Sequence, residues 1–209
     1  MKLDDLIPQV VLEAPAVADI AASYQIALAA RELCTFSLAW QADIPLRLSG
    51  REFYDFIPDD GDVVEPMSGI YSVSAGGSTS VIRPTTPAQL DLNDPSWRSR
   101  TGNAMWYYLP SSESIRFVPN PPQGTAVIHV ALQPNMGQKT IDDRVGSVFN
   151  EGIVHGALYR LLRMPDREWT NYKLASYYGD LFEQAKSTAQ VRGVDNFAKV
   201  ARKVHYGGL

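Results

Sequence analysis

A single cysteine, three histidines and no long apolar run leave this 209-residue chain few routes to covalent catalysis, metal binding or membrane insertion. A lone cysteine, Cys34, cannot close an internal disulfide, so stability has to come from packing or assembly, and a reducing cytoplasm is the expected compartment. Met1-Lys2 runs into Asp4 and Asp5 with no apolar segment behind them, which is not how a secretory signal peptide begins. No apolar stretch approaches the roughly 20 residues that span a bilayer. A basic surplus is missing as well. Nineteen Lys and Arg stand against 23 Asp and Glu, a net charge of −4, where a general nucleic-acid binder would carry a broad excess of Lys and Arg.

Catalytic patterns are equally thin. His129, His155 and His205 fall on a predicted strand, a predicted helix and the tail, and no G-x-S-x-G elbow accompanies them. Glu151 and His155 stand one helical turn apart, as two metal ligands would. No second pair at that spacing completes a zinc or di-iron set, and a helix hydrogen bond is the plainer reading. Asp59, Asp60 and Asp62 lack the calcium-loop spacing and its distal Glu, so they read as a solvated turn. Gly76-Gly77-Ser78 is too short for a phosphate loop and no Lys-Ser/Thr follows. Cys34 sits inside a predicted helix, where a small buried residue is expected. These patterns assign no catalytic residue, cofactor or metal, and the chain is expected not to be an enzyme.

What is present is a folded composition, 45% hydrophobic and 10% aromatic, in a telling order. Residues 1–42 hold a leader and one long helix, predicted from Pro15 to Ala39 because the stretch Ala16–Trp40 contains no Gly or Pro. Its apolar stripe is Ile20, Tyr24, Ala27 and Leu28, extended by Leu33 and Phe36. Residues 43–139 turn to Pro, Gly, Ser, Thr and β-branched side chains, with strands predicted at Ile44–Leu48, Phe53–Ile57, Met67–Val73, Thr79–Arg83, Met105–Leu109, Ile115–Val118 and Ala126–Leu132. Gly76-Gly77 reads as a hairpin turn and Asp59–Asp62 as another, while Pro119, Pro121 and Pro122 interrupt the ladder.

Residues 140–192 return to helix. Thr140-Ile141-Asp142-Asp143 resembles a capping box, and the stripe Val145, Val148, Gly152, Gly156, Tyr159, Leu162 ends at Met164-Pro165. Thr170 or Asn171 caps the next helix, with stripe Leu174, Tyr177 or Tyr178, Leu181 and Ala185. Gly152 and Gly156 each cost about 1 kcal/mol relative to Ala inside a helix, so they mark close approach either within the bundle or by a neighbouring subunit. Residues 193–209 form the basic cluster of an acidic chain. A last short helix is predicted from Asp195 through Lys203, and Phe197, Lys199, Val200, Arg202, Lys203 and Tyr206 are candidates for docking on a partner. The fold class is therefore α+β: a small helical bundle split by a β-rich insertion and followed by an extended basic tail.

A set of residues spread over 15–193 carries a family resemblance: Leu28-Ala29-Ala30-Arg31-Glu32-Leu33-Cys34 with Ser37 and Trp40; Leu90-Asp91 with Asp94-Pro95-Ser96-Trp97-Arg98; Gly102 before Trp106-Tyr107-Tyr108; Ile115-Arg116-Phe117-Val118-Pro119 with Pro121-Pro122; and Gly156-Ala157-Leu158 through Leu162, Met164-Pro165, Trp169 and Phe182. In these the chain resembles the head-to-tail adaptor (connector) proteins of tailed bacteriophages. The resemblance implies a structural virion protein at the portal vertex, assembled in the host cytoplasm as a dodecameric ring. That ring would sit under the portal protein, offer a platform to the tail nozzle or tail tube, and let DNA pass through its lumen, with no cofactor and no membrane. The tail would then supply the portal contacts, and the β insertion would face the tail side. A tail that orders only on the portal would make ring assembly templated, and an acidic chain would suit a channel along which DNA slides. Two alternatives stand beside this reading. One is a tail-completion or terminator subunit. The other is a β-rich glycan-binding tail protein with Trp97, Trp106, Tyr107 and Tyr108 as its platform; no paired carboxylates stand out to make such a protein a hydrolase.

Overall fold

A computed structural model of the chain describes residues 1–73 and 79–194. The predicted Gly76-Gly77 turn, the predicted helix from Asp195 and the tail candidates from Phe197 to Tyr206 lie outside the described residues. The chain is mixed α+β and divides into two compact units. One comprises Met1–Leu3 with Trp40–Asp142, and the other comprises Asp4–Ala39 with residues from Asp143 onward.

The first unit is a seven-stranded sheet of β1 (Gln41–Leu48), β2 (Tyr54–Asp55), β3 (Asp62–Ser72), β4 (Thr79–Pro84), β5 (Trp106–Ser111), β6 (Ser114–Val118) and β7 (Gly124–Gln133), in the order β1-β7-β3-β4-β5-β6-β2. Every predicted strand has a counterpart. Alternation sets their faces: Ile44 and Leu48, Ala126, Ile128 and Val130, Tyr71 and Ile82 point inward and are buried. Pro45 lies on β1, an edge of the sheet, where a missing N–H breaks no ladder bond. Asp59–Gly61 form the predicted bend, and Gly61 takes φ +73°, with a Cβ there meeting Gln133 O at 2.7 Å. The strand predicted over Phe53–Ile57 shrinks to Tyr54–Asp55, paired with Ile115 and Ser114. The leader's first residues also join this unit. Lys2 bridges Thr140, and the Met1 amine donates to Ile141 O at 2.8 Å. Thr140 is thereby drawn into a β-bridge, so it does not cap the following helix as predicted.

All neighbours in the sheet are antiparallel except β4 and β5, which pair in parallel through Arg83↔Trp106 and Pro84↔Tyr107. A parallel pair needs a crossover, not a hairpin. Residues 85–105 supply it, carrying α3 (Pro87–Asn93) and a 3-10 turn at Trp97–Ser99. α3 was not predicted. It is short, but Thr86 caps it by accepting from Gln89 N, and Pro87 occupies its first position.

The second unit contains α1 (Ile7–Glu13), α2 (Asp19–Ser37), α4 (Asp143–Leu162) and α5 (Tyr172–Val194). α1 was read as leader, and Pro15 does not begin the long helix. It sits in the turn between α1 and α2, where Val17 N donates to Ala14 O. The buried face of α2 is the predicted stripe only in part: its Ala27 and Leu33 are buried. Ala22, Ile26, Ala29, Ala30, Leu33 and Cys34 are buried, whereas Ile20 is 81% and Tyr24 52% exposed. Small side chains let helices approach closely, so the alanines face the core and the larger apolar residues do not. The buried face of α5 is Ala175, Tyr178, Phe182, Lys186 and Ala189; of the predicted stripe Tyr178 stands on it, while Leu174, Leu181 and Ala185 come one residue before Ala175, Phe182 and Lys186 and are half-buried. Asn171 does cap α5, its Oδ1 accepting from Leu174 N at 3.0 Å. α4 bends at Phe149 (φ −118°, ψ 16°).

Candidate functional site

The crossover between β4 and β5 is tied into a polar knot around Trp97. The Trp97 indole N–H donates to Asp91 Oδ1 at 2.8 Å, and Arg98 grips both oxygens of the same carboxylate. With the Arg98 guanidinium foremost and the indole second, the Asp91 carboxyl is held below its ordinary range. Asp94 accepts from the Ser96 hydroxyl and amide and from Arg100, which depresses its pKa too. Arg116, only 6% exposed, reaches in from β6. It donates to Arg98 O at 2.9 Å, pairs with Glu52 at 2.6 Å, and lies over the Trp97 ring at 4.8 Å. Arg98 lies over that ring as well, at 4.5 Å. Leu90, Trp97 and Val118 make a small apolar cluster under the knot, with Tyr108 edge-on to Trp97.

A groove of about 660 Å³ lies between the crossover and the strands it joins. Arg83 and Pro84 of β4, Gln89 and Asn93 of α3, and Met105 and Trp106 at β5 form much of its wall. Met105 is 54% and Trp106 38% exposed. Of the four aromatics read as a sugar platform, Trp106 alone presents itself in this way. Tyr107 is buried, its hydroxyl pushed up to about 12 by burial, and two guanidinium groups already lie over Trp97.

In the helical unit the structure places Gly152 and Gly156 where α4 meets its neighbours. A Cβ at Gly152 would stand 2.6 Å from Ala185 Cβ, and one at Gly156 would stand 2.8 Å from Phe182 and 2.9 Å from Ala29. Beside them runs a charge cluster. Glu32 of α2 accepts from Lys186 at 2.7 Å and from Arg160, and Lys186 also pairs with Glu183 at 2.6 Å. Burial opposes ionisation of Glu32, but the bonds from Lys186 and Arg160 outweigh it and keep the carboxyl below its usual range. His155 stacks on Tyr178 at 5.4 Å, and burial lowers its pKa. The Tyr178 hydroxyl donates to Glu13 at 3.0 Å. Glu151 and His155 line a cleft of about 230 Å³ with Leu181 and Arg192. Among the described residues no three His, Cys, Asp or Glu side chains come close enough to hold a metal ion, and no helix is long and apolar enough to cross a membrane. Cys34 is buried, as expected.

Sequence reasoning marked Asp91, Asp94, Trp97 and Arg98 as carriers of the family resemblance and gave only Trp97 a further role, in a sugar platform; Glu32 and Arg160 likewise entered only through the resemblance, and Arg83 and Lys186 were passed over. Arg116 carried a signal that went unused: a charged residue between Ile115 and Phe117 in a strand that is buried on both faces. Lys186 carried none, since a Lys on a helix normally reads as solvated.

The family model described as SU10 adaptor protein matches residues 1–202. No curated protein matches the chain.

Proposed function

The chain belongs to the SU10 adaptor protein family, and from that membership we propose that this structural, adaptor-type phage protein works at the head–tail junction of the virion. It forms a ring, a dodecamer, beneath the portal protein and presents a platform to the tail nozzle or tail tube, leaving a lumen for DNA. The observation that carries this reading is the length of the family match, which spans the helical segments and the β segment together and runs past the last described residue to 202. The helical unit is the ring-forming bundle in this reading. Phe197, Lys199, Val200 and Arg202 fall within the match and Lys203 and Tyr206 just beyond it, and these residues dock on the portal. An apolar pair with flanking cations suits such a segment. Burying a Phe contributes about 1.5–3 kcal/mol, and the cations steer encounter more than they add affinity.

Co-assembly tests it. The full chain and a version ending at Val194 are mixed with the cognate portal, then imaged by negative stain and weighed. Val194 is a better end-point than Arg192, because Gly193 is buried and a Cβ there would stand 2.7 Å from Ser37 O. A ring on the portal that requires residues 195–209 supports both the adaptor role and the docking tail. A ring that forms without them removes the tail's role, and no association removes the portal as partner.

A further inference from the structure

The groove beside the crossover holds a cation that the fold does not use. Arg98, Arg100 and Arg116 are engaged by Asp91, Asp94 and Glu52. Among the described residues the Arg83 side chain has no hydrogen bond and no ion pair, and the Asn93 side chain has none either. Gln89 accepts from Thr85 through its oxygen, which leaves its amide donors toward the groove unspent. Arg83 is the register partner of Trp106 on the adjacent parallel strand, so the two side chains leave one face of the sheet about 5 Å apart. Met105 and Trp106 stay substantially exposed beside them.

We propose that this groove binds an extended peptide from another chain, with a carboxylate on Arg83, an apolar side chain against Trp106 and Met105, and Asn93 and Gln89 bonding to its main chain. The charge selects the occupant. Among the described residues that line the groove, Asp94 and Arg100 neutralise each other and the one uncompensated charge is that of Arg83, so an occupant that brings a carboxylate matches it and a neutral ligand leaves it unmatched. Shape agrees. Leu90, Val118, Pro84 and Pro119 add apolar wall around Trp106, and a volume of about 660 Å³ fits a few residues of chain. A sugar fits worse. It would have Trp106 alone to stack on, since Trp97 is buried with two guanidinium groups over its ring, and it would bring no charge to Arg83. In an extended peptide, residues two apart project to the same side, so an acid and an apolar residue at that spacing reach Arg83 and Trp106 together. This inference adds to the adaptor reading without resting on it.

The test is saturation-transfer NMR on the full-length protein. Its probes are the capped peptide Ser-Asp-Ser-Leu-Ser, its counterpart with Lys for Asp, and tri-N-acetylchitotriose. We expect transfer centred on the Leu methyls of the acidic peptide. Affinity should fall about fivefold for the Lys peptide and for Arg83→Gln, the scale of one partly exposed charge pair. Trp106→Ala should remove the methyl transfer, and Asn93→Ala should weaken binding. Arg47→Gln, on β1 and outside the groove, should change nothing. Equal binding of the two peptides, binding indifferent to both Arg83→Gln and Trp106→Ala, or binding of the trisaccharide in place of the peptide would each overturn the proposal. Loss of peptide binding with portal co-assembly intact would remove this inference alone.

Discussion

Gly152→Ala should destabilise the helical unit even though alanine is the better helix former. The gain in propensity is about 1 kcal/mol. Against it stands a new methyl 2.6 Å from Ala185 Cβ, where ordinary carbon–carbon contact is about 3.5–4.0 Å. Ala185 has no flexible end to swing away, so α5 has to back off from α4 by about 1 Å. Overpacking of that kind costs about 1–3 kcal/mol, which leaves a net loss of up to about 2 kcal/mol. The double-mutant cycle isolates the contact. Ala185→Gly alone costs about 1 kcal/mol in propensity. With both changes made the methyl is merely moved across the interface, so the double variant returns close to the parent. The coupling energy then equals the overpacking energy itself, about 1–3 kcal/mol in favour of the pair. Urea unfolding followed by helical circular dichroism, at one fixed protein concentration so that assembly does not enter, measures all four corners. Additive single effects would refute the close approach of α4 and α5 and with it the reason for a glycine at 152.

Glu32→Gln should cost about 1–2 kcal/mol at neutral pH, the scale of hydrogen bonds to charged groups in a half-open site. The parent's folded Glu32 carboxyl lies below its usual 4.5, so its contribution is complete above that value and fades as pH falls through the folded value. The variant should lose that part of its acid sensitivity in pH-dependent urea melts. His155 runs on the same side of pH for a different reason. Its folded pKa lies below 6.5, so as pH drops beneath 6.5 the unfolded chain takes up a proton that the folded one resists, and stability falls. His155→Gln should flatten that step. Trp97→Ala should destabilise the β unit by about 3–5 kcal/mol in thermal melts, whereas Arg83→Gln should move it by no more than about 0.5 kcal/mol.

The sheet was legible because its signal is local. Strands of alternating pattern separated by Pro, Gly and Asp turns announce themselves one at a time, and each predicted strand is present. What alternation does not convey is partnership. Nothing in Thr79–Pro84 or Trp106–Ser111 says that they run parallel, so the need for a crossover, and the short helix inside it, could not be foreseen. The helices show the converse. The existence of the three long helices is plain from spacing, yet the buried faces of α2 and α5 are legible only in part: Ala27, Leu33, Tyr178 and the Ala185 that meets Gly152 stand on the predicted stripes, whereas Ile20 and Tyr24 are exposed. Close packing does not rank side chains by hydrophobic size alone. Where Gly152 meets Ala185 and Gly156 meets Ala29, small volume decides which face turns inward, and Ile20 and Tyr24 are left outside.

Trp106 apart, the residues that carried the family resemblance and those that now point to a partner are different sets, and the topology explains why. Asp91, Trp97, Arg98 and Arg116 hold the crossover in place. They answer a requirement set by the parallel pairing of β4 and β5, and they are recognisable because the tight hydrogen-bonded geometry leaves little choice of side chain. Arg83, Asn93 and Met105 answer no such requirement. They stand on the rim of the groove, exposed and without a recurring pattern, so a sequence presents them as ordinary surface. A free guanidinium beside an exposed indole acquires meaning only once strand register puts the two side by side. The separation has an energetic consequence. Substitutions in the knot act on folding, and substitutions on the rim act on binding alone. The two groups of variants can therefore be told apart by stability measurements before any partner is added.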